Sequence, residues 1–195
     1  MTSTEPTATG SPTTAAVTAL PAGFVIRPAA DADGDLFVAL LGACWGEYDA
    51  MVFDPDDEMA HLRRVASHYG DAGGEVLVVE HADPDSAAAA DVVAGSVAWR
   101  PATRPGHVEL QLLYVMPAAR RRGLATHLVA RVEKAAQARG HTTVELWSDT
   151  RFVDAHRLYG AIGYTRLAWS RLLDDLSAST EYHFEKRLPA RHPVG

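Results

Sequence analysis

Leu113-Tyr114-Val115-Met116-Pro117-Ala118-Ala119-Arg120-Arg121-Arg122-Gly123-Leu124-Ala125-Thr126 is the stretch from which the rest of the chain is read. Leading into it, Val108, Leu110, Leu112 and Tyr114 alternate with Glu109, Gln111 and Leu113, which predicts a strand over 107–116 that Pro117 ends. Beyond it, Leu124, Leu128, Val132 and Ala135 recur at helical spacing and Gly140 supplies a stop, which predicts a helix over 122–139. Gly123 thus stands where a strand gives way to a helix. The first turn of a helix leaves N–H groups without internal partners at the positive end of the dipole, which makes an anion site. Arg120, Arg121 and Arg122 add charge at its rim, while Gly123 and Ala125 keep side-chain bulk away from the backbone. Taken alone, the loop fits solvated surface nearly as well. No Gly-Lys-Ser/Thr follows and only one glycine stands in the loop, so neither a triphosphate loop nor a dinucleotide fingerprint is present.

Working outward, residues 24–27 predict a short strand ended by Pro28, and a helix from about Asp33 carries Leu36, Leu40 and Leu41. Asp54-Pro55-Asp56-Asp57 predicts a helix start, with Asp54 as the N-cap and the helix running to about His68. Strands follow over 75–80 and 91–100, joined by a long Ala- and Asp-rich loop. A β-branched strand over 142–147, a helix over 152–162 ended by Gly163, and strands over 164–169 and 180–188 complete the order. Strands and helices mixed in this way predict an α/β layered domain around one sheet.

Composition sets the remaining bounds. The chain has 195 residues, 47% of them hydrophobic, enough for one cored domain. Residues 1–22, mostly Thr, Ser, Ala and Pro, predict a disordered tail, leaving a domain over 23–189 and a short C-terminal tail over 190–195. The formal charge of -7 argues against a nucleic-acid partner and suits a cationic one. Cys44 is the single cysteine, so no internal disulfide can form, and a cytoplasmic location is expected. No membrane association is expected either, because no apolar run nears the ~20 residues a span requires. The nine histidines lack local metal-ligand spacing, so no metal is expected. Ser148, Asp149 and His156 have the residue types of a hydrolase triad without a nucleophile elbow, and Asp149 is read as a cap for the helix near Arg151.

Arg120-x-x-Gly123-x-Ala125, preceded by 113–117, resembles the acyl-coenzyme A signature of the GNAT N-acetyltransferase superfamily. Val25-Ile26-Arg27-Pro28-Ala29 followed by Asp33 resembles that family's opening strand and helix. Ala155-His156-Arg157-Leu158-Tyr159-Gly160-Ala161-Ile162-Gly163-Tyr164 resembles its second signature. The resemblance implies a single GNAT-like domain, with a central mixed sheet splayed between its fourth and fifth strands and flanked by helices. It implies acetyl-coenzyme A as co-substrate. The pantetheine arm would lie along Leu113, Tyr114 and Val115, and the pyrophosphate on the loop of Arg120, Arg121, Arg122, Gly123, Leu124, Ala125 and Thr126. Family members often dimerise, so a homodimer is among the expected states. Many members carry an asparagine where this chain has Phe152, which puts that polar contact in doubt.

The implied reaction transfers an acetyl group to a primary amine of a small molecule or a protein. It needs a neutral amine, donors for the developing oxyanion and a proton for the leaving thiolate. The family's matching tyrosine makes Tyr159 the acid, although a tyrosine there would also serve as packing. Glu109 and Glu145, one on each splayed strand, are the candidate bases, with Glu109 preferred; either would equally suit the wet face of a strand. The acceptor side falls around Trp45, Tyr48 and Phe53, where aromatics stand among acids. Phe152 also leaves room for a non-catalytic acyl-coenzyme A sensor, and a longer acyl donor is a third reading.

Overall fold

A computed structural model describes residues 20–83 and 93–190. The tail expectation over 1–19, the long connection over 84–92 and the final residues 191–195 lie outside the described residues. Seven strands form one sheet: β1 (Phe24–Pro28), β2 (Glu75–His81), β3 (Val93–Pro101), β4 (His107–Val115), β5 (Thr143–Asp149), β6 (Thr165–Leu172) and β7 (Thr180–Arg187). Their order is β1-β2-β3-β4-β5-β7-β6, and every pairing is antiparallel except β4 with β5. Among the described residues four helices accompany them: α1 (Gly34–Trp45), α2 (Val65–Asp71), α3 (Leu124–Ala138) and α4 (Val153–Ala161). Among the described residues no helix is long and apolar enough to cross a membrane.

Val76, Leu77, Val78 and Val79 are buried consecutively, which requires both faces of β2 to be covered. Helices α1 and α2 pack against β2, β3 and β4, while α3 packs against β3, β4 and β5. Most helical positions read from the sequence are core: Leu40 and Leu41 of α1, and Leu124, Leu128 and Val132 of α3, are at most 1% exposed, while Leu36 and Ala135 are half-buried. Each such side chain contributes about 1.5–3 kcal/mol by leaving water. The opening motif has a physical basis too. Arg27 grips Asp33 through two hydrogen bonds of 2.7 and 2.9 Å and also reaches Glu80, tying β1, the start of α1 and β2 together.

Two expectations are corrected. The helix expected from Asp54 to His68 is interrupted. Asp54 Oδ1 does accept from the N–H groups of Asp56 and Asp57 at 3.1 Å, but only one turn follows. A short 3-10 segment (Ala60–Arg64) then precedes α2. Tertiary anchors account for the break, because Glu58 accepts from the Leu176 N–H and Val52 bonds to Ser177. The simple alternation of β4 also fails. Ser96 pairs with Tyr114 and Ala98 with Gln111, so Leu112 and Leu113 face Val97 alone, as a β-bulge with Leu112 at φ 48°.

Candidate active site

The bulge opens the sheet. β4 and β5 pair only at His107 with Thr143, Val108 with Val144 and Glu109 with Glu145, and beyond Glu109 the two strands part. Ser96, fully buried, donates its hydroxyl to the Leu112 carbonyl at 2.7 Å, satisfying a group that the bulge leaves outside the ladder. Gly95 makes the geometry possible, since a Cβ there would lie 2.8 Å from the Tyr114 carbonyl oxygen. A leucine held at positive φ stores about 1–3 kcal/mol of strain, which the surrounding packing must hold in place. The result is a backbone edge of β4, along Leu113, Tyr114 and Val115, left without a strand on the β5 side.

At the end of this edge, Pro117–Ala119 turns the chain, Arg121 has φ 62° and Gly123 has φ 82°. Two left-handed residues so close together curl the backbone into a concave nest, and α3 starts at Leu124 directly behind it. A Cβ on Gly123 would meet nothing within 4 Å, so the space before it is open and glycine is required by φ alone. The three arginines divide. Arg120 turns inward, donating to the Val115 carbonyl at 2.9 Å and pairing with Glu47. Arg122 lies over the Phe24 ring and donates to the Ala22 carbonyl at 2.8 Å. Arg121 makes no side-chain contact of this kind among the described residues, so its guanidinium is the one free to meet an anion at the rim.

The splay holds a cleft lined by Leu112, Leu113 and Tyr114 of β4, Trp147, Ser148 and Asp149 of β5, and Phe152, Ala155 and Tyr159 near and on α4. Tyr159 is 5% exposed, its ring between those of Tyr164 and Phe184. Burial, with the neighbouring Tyr114, pushes its phenol well above the usual range, so the proton is firmly held. Of the predicted acceptor residues, Trp45 lines the cleft and is fixed by donating to the Tyr114 hydroxyl at 3.0 Å. Phe53 packs edge-on against Trp45, outside the lining. Tyr48 lies 4.8 Å from Phe152, so the residue standing where the family often has asparagine supplies an aromatic wall.

The structure distributes the carboxylates differently from the sequence reading. Glu109 and Glu145 lie outside the cleft lining, and Glu109 is paired with Arg100 at 3.3 Å. The carboxylates that do line it are Asp149, Asp175 and Glu181. Glu181 on β7 is raised above the ordinary carboxylate range, by burial first, with Asp149 and Glu109 adding to it against the opposing ion pair to Arg171. Asp149 goes the other way. Burial pushes it up, but hydrogen bonds from Arg151 and Ser179 outweigh that and hold it low. It clamps Arg151 at 2.8 and 2.9 Å instead of capping α4, whose N-cap residue is Phe152. Arg151 also reaches the Ala50 carbonyl and the Ser179 hydroxyl, and so joins the segment after α1 to the segment before β7. Glu181 had no local signal; only the β5–β7 register, which sets Asp149 opposite Glu181, brings it to the cleft.

A family model described as "Acetyltransferase (GNAT) family" matches residues 41–164. No curated protein matches the chain in sequence. Among solved structures, an acetyltransferase of the GNAT family from Staphylococcus aureus Mu50 superposes with a TM-score of 0.70 at 13% identity, over 85% of this chain and 99% of that one. A putative acetyltransferase from Salmonella typhimurium, solved with its cofactor acetyl-CoA, gives 0.62 at 20% identity, over 88% and 97%. A ribosomal-protein-alanine N-acetyltransferase from Brucella melitensis gives 0.62 at 19%, over 84% and 99%. At these identities the likeness is one of fold, and it agrees with a sheet splayed after three parallel pairs and a nest at the start of α3. With the family model spanning well over half of its residues, the chain belongs to the GNAT acetyltransferase family.

Proposed function

We propose that the protein transfers an acetyl group from acetyl-coenzyme A directly to a primary amine, with Tyr159 as the acid and Glu181 as the base. The observation that carries this reading is continuity. An unpaired backbone edge at Leu113–Val115 runs from an anion nest at Arg121–Gly123 into a cleft whose far wall is Tyr159. The residues present fit the coenzyme: backbone N–H groups at the start of α3 and the Arg121 side chain suit the pyrophosphate, and the β4 edge suits the amide-bearing arm.

Bound there, acetyl-coenzyme A supplies an activated thioester carbonyl, so that a C–N bond forms as a C–S bond breaks. The chain's own groups handle the protons. An alkylamine is mostly ammonium at neutral pH, and Glu181, raised by burial, is a stronger proton acceptor than an exposed carboxylate. Tyr159 keeps its proton at neutral pH and can give it to a thiolate. Trp45 and Phe152, beside Asp175 and Glu181, suit a cation with an apolar body. The test is release of free thiol from acetyl-coenzyme A across a panel of small amines and peptide N-termini. Thiol release that depends on one amine class supports the proposal. Folded protein that binds the coenzyme tightly yet releases no thiol with any amine overturns it in favour of a sensor.

A further inference from the structure

Below the cleft, the three glutamates nearest the root of the splay stand in one row. Glu109 on β4 faces Glu145 on β5, and Glu145 faces Glu185 on β7. Directly opposed residues project from the same face of a sheet, and like charges so placed repel. The two ends of the row have cations: Arg100 pairs with Glu109 at 3.3 Å and Arg104 with Glu185 at 3.0 Å. The middle carboxylate has none. Among the described residues Glu145, with its side chain 15% exposed, has no lysine or arginine within ion-pair distance, and its nearest basic group is His183 Nε2 at 3.9 Å.

Two histidines point to what completes the row. One ring nitrogen of His107, one carboxylate oxygen of Glu145 and one of Glu185 all lie within 4.8 Å of one another. Donors around a tetrahedral ion at ~2.0–2.2 Å stand roughly 3.3–3.6 Å apart, so these three need draw in by little more than about an ångström to hold one cation. His107 lies 3.1 Å from the Pro105 carbonyl through Nδ1. A carbonyl can only accept, so Nδ1 carries the proton and Nε2 keeps the lone pair, the arrangement in which a metal-binding imidazole is oriented by its other nitrogen. His183 is the independent sign. It is 4% exposed, and neither ring nitrogen has a hydrogen-bond partner. A separation of 3.9 Å from Glu145 is too long for a hydrogen bond and short enough to share a ligand. Stacking on Trp147 at 4.4 Å holds the ring flat.

We propose that His107, Glu145 and Glu185, with His183 as the fourth donor, bind one divalent transition-metal ion of the zinc type, at the root of the β4–β5 splay. Two imidazoles and two carboxylates suit zinc better than magnesium or calcium, which prefer oxygen alone. His183 stands outside the mutual 4.8 Å spacing of the other three and would turn in from its place 3.9 Å off Glu145 to complete a tetrahedral, structural shell. The ion would tie β4, β5 and β7 together directly below the point where β4 and β5 part, and His183 would connect it to Trp147 in the cleft wall. The four donors come from three strands, which is why no spacing along the sequence betrays them.

The test uses the full chain, free of any affinity tag and stripped with chelator, titrated calorimetrically with zinc chloride and with magnesium and calcium chloride. The expected result is one zinc per chain, a higher thermal midpoint with zinc, and no comparable response to magnesium or calcium. Glu145→Gln and His183→Gln should each weaken zinc binding by more than about 100-fold, beyond the roughly 10–100-fold that outer-shell changes cause. His61→Gln should leave it unchanged, which separates this site from the His61–His68 ring pair at 4.7 Å. X-ray absorption of the zinc-loaded protein should show imidazole and carboxylate scattering together. Absence of zinc binding in folded wild-type protein overturns the proposal. So does binding that survives both glutamine variants, or an equal response to magnesium. None of these readouts depends on acetyl transfer, so the site stands or falls apart from the proposed activity.

Discussion

The two sides of the cleft are made of different materials. The side proposed for the coenzyme is backbone, from one continuous segment over 113–126: a freed strand edge, a nest and a helix start. The acceptor side is side chains drawn from segments far apart, with Trp45 ending α1 and Met51 after it, Asp149 ending β5 and Phe152 after it, and Asp175 and Glu181 around the start of β7. A site built from backbone needs only a glycine at the right φ and a strand-to-helix junction, and these leave a readable motif. A site built from side chains across the fold leaves none. The difference explains why one chain can disclose its coenzyme and conceal its acceptor.

Tyr159 stands between the two sides, and its removal gives the largest expected effect. Tyr159→Phe should lower turnover by about 10²–10⁴-fold, the usual worth of a positioned acid or base, while calorimetric affinity for coenzyme A changes little. Unchanged turnover would mean that the ring merely packs between Tyr164 and Phe184.

The acceptor side depends on Arg151, which joins Asp149, Ala50 and Ser179. Arg151→Ala leaves the Asp149 carboxylate, 5% exposed, without its cation, at a cost of about 3 kcal/mol in denaturant unfolding, the low end for a broken buried pair because Arg151 is itself partly exposed. If the two sides are built independently, KM for the amine should rise while the coenzyme dissociation constant holds. A coenzyme affinity that falls as far as the amine's would show that the sides are one unit.

Much of the fold was legible because it is written locally. Leu124, Leu128 and Val132 gave α3 its buried stripe, and the apolar run Val76 to Val79 marked β2 as a strand. What stayed hidden involves partners distant in sequence. The Asp54 turn stops short because Glu58 and Val52 are held by Leu176 and Ser177. The β4 alternation breaks at Leu112, where Ser96 on the neighbouring strand supports the bulge. Arg120 reads as a phosphate ligand in the motif, yet its guanidinium is engaged by Glu47 and the Val115 carbonyl. Glu109 reads as a base from its strand, but register sets Glu181 in the cleft instead.

Glu181 gives a pH test of the acceptor side. Its folded-state value lies above the ordinary one, so the stability it contributes is present at low pH and lost as pH rises through that folded value. Glu181→Gln, neutral throughout, should therefore unfold at a higher temperature than wild type at pH 7 and lose that advantage toward pH 4. Turnover should fall by about 10²-fold over the same range, and the acidic limb of the rate profile should disappear. A variant that is slower but keeps the acidic limb would assign the base elsewhere.

The smallest effect separates two neighbours within the coenzyme side. Arg121 is exposed and unengaged, so Arg121→Ala should weaken coenzyme A binding only about two- to fivefold, the worth of one screened ion pair, and the loss should fade as salt is raised. Its stability should not change. Arg120→Ala should do the reverse. Losing the contacts to Glu47 and the Val115 carbonyl should cost about 1–2 kcal/mol of stability and show little dependence of coenzyme affinity on salt. The backbone nest, held by Gly123, is common to both variants and should keep most of the affinity in each. If Arg121→Ala instead abolished binding, the coenzyme side would be a charge site after all, and the contrast with the side-chain-built acceptor wall would fail at its first term.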